Sequence, residues 1–247
     1  MSIVSNVSPL APKNFPVMHS ISGVRFATAN AGIKSGDSED ATLILLEPET
    51  VIAGLFTSSM TRSAPVIDCQ NKIGINVANT GAAIIINSGN ANAFTGRHGE
   101  LAVREIIAEL STRVQIPVER IFSSSTGVIG ELLEYQKIID VFDHLVDSLH
   151  GSKIENAARA IMTTDTFPKG SSVKVSSSGG KITISGIAKG SGMIAPNMGT
   201  MLVYIFTDAL IDKNDLQSIV SDLNEETFNC ITAVSYTHLT LPTSFLV

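Results

Sequence analysis

The chain has no tryptophan, and only 5% of its 247 residues are aromatic. Nucleic-acid binding by base stacking therefore has no support. It also lacks an excess of positive charge. Lys and Arg total 17 against 23 Asp and Glu, a net charge of −6. That balance disfavours nucleic acid and anionic membrane as partners. Cysteine is scarce: Cys69 and Cys230 make no metal-binding or redox spacing and read as free thiols. No apolar run reaches the length of a membrane span. The N-terminus lacks the charged region and apolar core of a signal peptide. The expectation is a cytoplasmic protein. What is present, 44% hydrophobic and 16% charged residues, suits a globular chain of one or two domains with a sizeable core.

Along the chain, residues 1–20 carry Pro9, Pro12 and Pro16 and read as an extended lead-in. Apolar runs predict strands at Thr42–Leu46 and Val51–Thr57. Asp37, Glu39 and Asp40 crowd together, but no His joins them, so they read as a solvated turn rather than a metal site. Ala82–Ile86 predicts a buried strand. It runs into Asn87-Ser88-Gly89-Asn90-Ala91-Asn92-Ala93, a polar loop whose amides can satisfy their own backbone or support a site. Neither this loop nor Lys189–Met193 has the order of a phosphate-binding loop. Glu100–Leu110 has helical periodicity. Val118–Phe122 leads into Ser123-Ser124-Ser125-Thr126-Gly127-Val128-Ile129-Gly130. This run reads as a helix N-terminus before an amphipathic helix over Leu132–Leu149, and its N–H groups could also hold a developing oxyanion. A helix over Ile154–Met162 ends at Thr163-Thr164-Asp165-Thr166-Phe167-Pro168-Lys169. Ser172–Ser176 and Lys181–Ile187 predict a hairpin around Gly179-Gly180. Asn214–Cys230 predicts a helix with Leu216, Ile219, Val220, Leu223 and Phe228 on an apolar face. No internal repeat is found.

The chain is organised around Lys189–Asp208, KGSGMIAPNMGTMLVYIFTD. Its first half reads as a loop. Met201–Phe206 reads as a strand buried on both faces. Thr200 sits between them, behind Gly199. Breaking the Gly199–Thr200 bond would give Thr200 a free α-amine beside its own hydroxyl. That amine can serve as the base for an Oγ nucleophile. The bland alternative is an ordinary strand threonine, and for Lys189 an ordinary loop lysine.

This stretch resembles the self-cleavage segment of the ornithine acetyltransferase family, also called the bifunctional glutamate N-acetyltransferase family. Lys189-Gly190-Ser191-Gly192-Met193 and Thr200-Met201-Leu202 match its pattern, with Gly199 where Ala is usual. The N-terminal A-G-I-K and F-T…APV segments, N-S-G-N-A-N-A, S-T-G-V-I-G and T-T-D-T-x-P-K are similar as well, so the resemblance covers nearly all of residues 21–232. It implies an α/β fold, a layered sandwich of sheets and helices that differs from a doubly wound parallel sheet. It implies self-cleavage between Gly199 and Thr200, giving an α-chain over residues 1–199 and a β-chain from residue 200. Thr200 would be the nucleophile, Thr126 and Gly127 the oxyanion hole, and Thr163, Lys189 and Thr200 the substrate contacts. The implied reaction moves acetyl from N²-acetylornithine to glutamate, in arginine biosynthesis. No metal or organic cofactor is implied; use of acetyl-CoA as a co-substrate stays open. The implied assembly is a heterotetramer of two α- and two β-chains. A related self-cleaving amidase or aminopeptidase with water as acceptor is the alternative, as is an inactive fragment.

From Val234 the character changes. The DNA string GTC TCT TAT ACA CAT CTG ACG CTG CCG ACG encodes Val234–Thr243 without a mismatch. It resembles a transposase-based sequencing adapter. Residues 233–247 are therefore expected to be read-through, with residues 200–232 only the start of the β-chain. The family's later Glu and its C-terminal Asn and Thr contacts would then be missing, and this chain alone inactive. A polar C-terminal strand is the biological alternative.

Overall fold

The structure, a computed structural model, describes residues 11–177, 179–191 and 201–230. Seven strands and six α-helices follow one another along them: β1 (Val24–Ala29), β2 (Ala41–Leu46), α1 (Ala64–Lys72), β3 (Ala82–Asn90), α2 (Gly96–Val114), β4 (Ile121–Val128), α3 (Tyr135–Asp140), α4 (Phe142–Asp147), α5 (Ile154–Ala160), β5 (Lys169–Ser177), β6 (Gly180–Lys189), β7 (Leu202–Thr207) and α6 (Lys213–Glu226). They build two sheets, one ordered β1-β2-β3-β4 and one ordered β5-β6-β7. All pairings are antiparallel except β3 with β4. The mixed α/β class expected from the sequence is the class observed.

Strand alternation divides the core. Ala27, Leu43, Ile85 and Ile121 face one way, onto Val103, Ile106, Ile107 and Leu110 of α2 and onto Phe142 and Leu145 of α4. Phe26, Ile44, Ile86 and Phe122 face the other way, onto α5 and the second sheet. The period of two places successive side chains on opposite faces, so one sheet serves two apolar layers. The Phe26 and Phe206 rings meet edge to face, with centroids 5.2 Å apart and planes at 83°. That geometry suits the ring quadrupoles and joins β1 to β7 across the layers.

Four local expectations are corrected. Val51–Thr57 is not a strand, although its composition suits one. The side chain of Gln217 on α6 bonds both backbone groups of Gly54, at 3.1 Å to N and 3.2 Å to O, where a neighbouring strand would have bonded. Ser123–Val128 is strand rather than helix N-terminus, because β3 offers it a parallel ladder. Leu132–Leu149 holds two short helices that part at Val141, not one. Met201–Phe206 is not buried on both faces: β7 pairs only with β6 among the described residues, Phe206 is buried, and Ile205 is 55% exposed. The hairpin around Gly179-Gly180 is present as β5–β6, with Ser177 paired to Gly180. Helices form where periodicity predicted them at α2, α5 and α6. Residues 233–247 lie outside the described residues.

Candidate active site

The site forms where β4 and β6 end. β3 and β4 run parallel, with Ser88 opposite Thr126 and Gly89 opposite Gly127. Open α/β sheets bind ligands at the carboxyl ends of such strands. The approach is close: a Cβ on Gly127 would lie 2.2 Å from Gly89 C and 2.5 Å from Asn90 N, and its φ is +139°. Only glycine meets both conditions without strain. A bulge at Gly89 and Asn90 then ends the pairing.

The polar run after Ile86 belongs mostly to β3 and is buried at Asn87, Ser88, Asn90 and Asn92. The Asn87 amide donates to Asn90 O at 2.9 Å, and its carbonyl oxygen accepts from Ser125 Oγ at 2.7 Å. Asn90 donates to Glu131 O at 3.1 Å. These bonds satisfy backbone and hold β4 beside Thr126. Both readings of the run, self-satisfied loop and support for a site, describe part of it.

Lys189 is the last residue of β6 and is only 3% exposed. Its Nζ donates to Thr126 Oγ1 at 2.9 Å and to Thr163 Oγ1 at 2.8 Å. Each hydroxyl accepts from the ammonium, which leaves its own proton to donate elsewhere. Burial pushes the Lys189 ammonium below the usual lysine value; Asp165 opposes that fall, and Lys169 and Lys34 add to it. The structure therefore brings together three of the expected residues, Thr126, Thr163 and Lys189, with Gly127 next in the chain. Leu202 is the cross-strand partner of Lys189. Gly199 and Thr200 lie outside the described residues, as does Met193.

Two participants, Asp165 and Lys34, were not singled out in the sequence. Asp165 is buried and accepts from Lys169 Nζ at 2.5 Å, from Gly190 N at 2.8 Å and from Thr163 N at 3.2 Å. Burial alone would raise its pKa, but these hydrogen bonds hold the carboxyl below the usual carboxylate value. Lys34 donates to Ala160 O at 3.2 Å, and Ser88 Oγ donates to the same oxygen at 2.5 Å. The two fix the end of α5 just before Thr163. The only signal for Asp165 and Lys34 was their place inside matching motifs. Asp40 corrects the solvated-turn reading. It is 1% exposed and accepts from the N–H groups of Ala31, Ile33 and Lys34 at 2.6–2.8 Å.

Cys69 and Cys230 are both free. Burial pushes the Cys69 thiol up to about 12, which excludes it as a nucleophile near neutral pH. Among the described residues, no group of three or more His, Cys, Asp or Glu is placed to hold a metal ion. No helix among them is long and apolar enough to cross a membrane.

Comparison with known proteins bears on the family. The family model described as "ArgJ family" matches residues 25–237. The arginine biosynthesis bifunctional protein ArgJ of Ruegeria pomeroyi is 50% identical over 237 residues, which is 96% of this chain and 58% of that protein. Its counterpart in Bartonella henselae is 44% identical over 231 residues, 94% of this chain and 56% of that protein. The chain thus spans a little over half the length of these curated relatives. The crystal structure of ArgJ from Bacillus halodurans superposes with a TM-score of 0.65 at 30% identity, covering 71% of this chain and 92% of that one. Ornithine acetyltransferase from Mycobacterium tuberculosis, solved in complex with ornithine, gives a TM-score of 0.65 at 31% identity, over 74% of this chain and 94% of that one. With a family match across most of its length, close relatives by sequence and two solved structures of the same fold, the chain belongs to the ArgJ family.

Proposed function

We propose that this chain is the self-cleaving, acetyl-transferring part of an ArgJ enzyme. In the protein extended to its relatives' length, that part moves acetyl from N²-acetylornithine to glutamate in arginine biosynthesis, and residues 1–247 alone are expected to lack the activity. The observation that carries the reading is the Lys189 ammonium buried between the Thr126 and Thr163 hydroxyls. Asp165 offsets only part of the positive charge gathered here, and a substrate carboxylate supplies a further anion. Ornithine and glutamate both bear an α-carboxylate, so one cation serves both half-reactions.

The chemistry begins with net hydrolysis of the Gly199–Thr200 peptide bond: water leaves a carboxylate on Gly199, and the Thr200 α-amine is freed. Thr200 Oγ then attacks the acetyl carbonyl carbon and passes its proton to that amine. The Thr126 hydroxyl and the Gly127 N–H receive the developing oxyanion. Collapse breaks the bond to the ornithine nitrogen, which leaves with the proton and forms acetyl-Thr200. The glutamate α-amine attacks this ester in turn, the C–O bond breaks, and Thr200 Oγ regains a proton. Leu202, two residues past the scission point, pairs with Lys189; this supports a nucleophile close to the cation.

Residues 1–199 are the proposed α-chain, residues 200–232 the start of the β-chain, and residues 233–247 adapter read-through. The proposed assembly pairs two α- with two β-chains, in the cytoplasm. Intact-protein mass spectrometry of a chain extended to the relatives' length tests the reading. We expect two masses that meet at Gly199–Thr200 in wild type and one uncut mass in Thr200→Ala. A single uncut mass in aged wild type, or cleavage persisting in Thr200→Ala, refutes it.

A further inference from the structure

Asp165 sits in the turn between α5 and β5, with its side chain fully buried. Oδ1 accepts from Gly190 N, the residue directly after Lys189. Oδ2 accepts from Thr163 N, the residue whose hydroxyl Lys189 bonds. One carboxylate therefore grips the backbone on both sides of the Lys189–Thr163 contact.

Its charge matters as much as its bonds. Three ammonium groups converge here from three elements: Lys169 at the start of β5, Lys189 at the end of β6, and Lys34 in the loop after β1. Lys169 is hydrogen-bonded to Asp165. Lys189 and Lys34 both feel its negative charge. Asp40 acts on Lys34 more than Asp165 does, while accepting from three backbone N–H groups of its own loop. Removing Asp165 leaves Lys189 facing two like charges in a buried setting, where neutralisation of an ammonium is the ordinary response. With Asp165 in place, three cations and two anions, Asp165 and Asp40, leave a positive balance for a substrate carboxylate.

We propose that Asp165 is a positioning residue of the acyl-transfer site, holding Lys189 charged and in place against Thr126 and Thr163. The proposal rests on the site reading given above. It separates from that reading because Lys189 can be observed without turnover.

The experiment is a pH titration of the full chain carrying ¹³Cε-lysine, followed by NMR, with the Lys189 signal assigned by its loss in Lys189→Met. In Asp165→Asn the Lys189 signal should titrate at lower pH than in wild type. In Lys169→Met it should titrate at higher pH, because a like charge is gone and Asp165 is freed. A residue with only a packing role would not produce shifts of opposite sign. Lys169 is one-third exposed, so its substitution carries the test alone should Asp165→Asn not fold. An unmoved or lowered titration in Lys169→Met overturns the proposal, as do shifts of the same sign in both variants. Added L-ornithine should move the Lys189 signal in wild type. Opposed shifts without any response to ornithine would refute the site reading and leave the Asp165 anchor standing.

Discussion

Gly127→Ala tests the physical basis of the β3–β4 junction, on which the oxyanion reading depends. Two costs add. A non-glycine residue at φ +139° carries backbone strain on the order of 1–3 kcal/mol. The new Cβ also meets Gly89 C at 2.2 Å, Asn90 N at 2.5 Å and Gly89 O at 2.5 Å. Those atoms are backbone, so no side-chain rotation relieves the overlap. The strands must part, and each buried ladder group left unpaired costs about 1–3 kcal/mol. Strain plus one such group comes to roughly 2–6 kcal/mol. With a urea slope of about 2 kcal/mol per M, the midpoint should fall by about 1–3 M. Two controls separate the terms. Gly130 has φ +87° and nothing within 4 Å of an added Cβ, so Gly130→Ala carries conformational strain alone. In Gly81→Ala the Cβ meets Leu46 O at 2.3 Å, and no positive φ adds to it. Urea unfolding followed by circular dichroism should rank Gly127→Ala well below both. If Gly127→Ala unfolds at the same midpoint as Gly130→Ala, the close-approach argument is wrong.

Thr126→Ala, in the chain extended to the relatives' length, should lower kcat by roughly 10²–10³ if its hydroxyl donates to the oxyanion; a change in KM alone reassigns it to substrate binding. The native chain should react with one equivalent of a thiol reagent at pH 8, through the exposed Cys230, and with two after denaturation. Cys69 is buried and titrates near 12, so rapid reaction of both thiols in the native state contradicts the structure. Asp165 has a folded-state pKa below its ordinary 3.8. Its contribution to stability is therefore present above that value and is lost as pH falls through the lower, folded one. Unfolding free energies of wild type and Asp165→Asn should separate near neutrality and converge as pH falls through the lowered folded-state value; a constant gap on acidification refutes the assignment.

Short-range pattern alone determined much of this protein. The apolar period over Glu100–Leu110 specified the core of α2, and Gly179-Gly180 between two alternating runs specified the β5–β6 turn. Motif matches supplied Thr126, Gly127, Thr163 and Lys189. Contact among them was a different matter. Lys189 reaches Thr126 and Thr163 across 63 and 26 residues of chain. No local periodicity encodes such a meeting. The same limit explains the corrected readings. Val51–Thr57 has strand composition, but among the described residues no strand pairs with it, and at Gly54 the hydrogen bonds go to Gln217, 163 residues away. Ser123–Val128 is strand because β3 offers it a ladder. β7 is apolar from Leu202 to Phe206, yet its burial depends on how many neighbours the sheet supplies. Asp40 reads from the sequence as a solvated turn acid, and Asp165 only as part of a motif. Both are buried acceptors: Asp40 takes N–H groups of its own loop, and Asp165 takes that of Gly190, 25 residues on. Local sequence sets which way side chains alternate. Pairing partners and the burial of polar groups are set by contacts that exist only once the layers have closed.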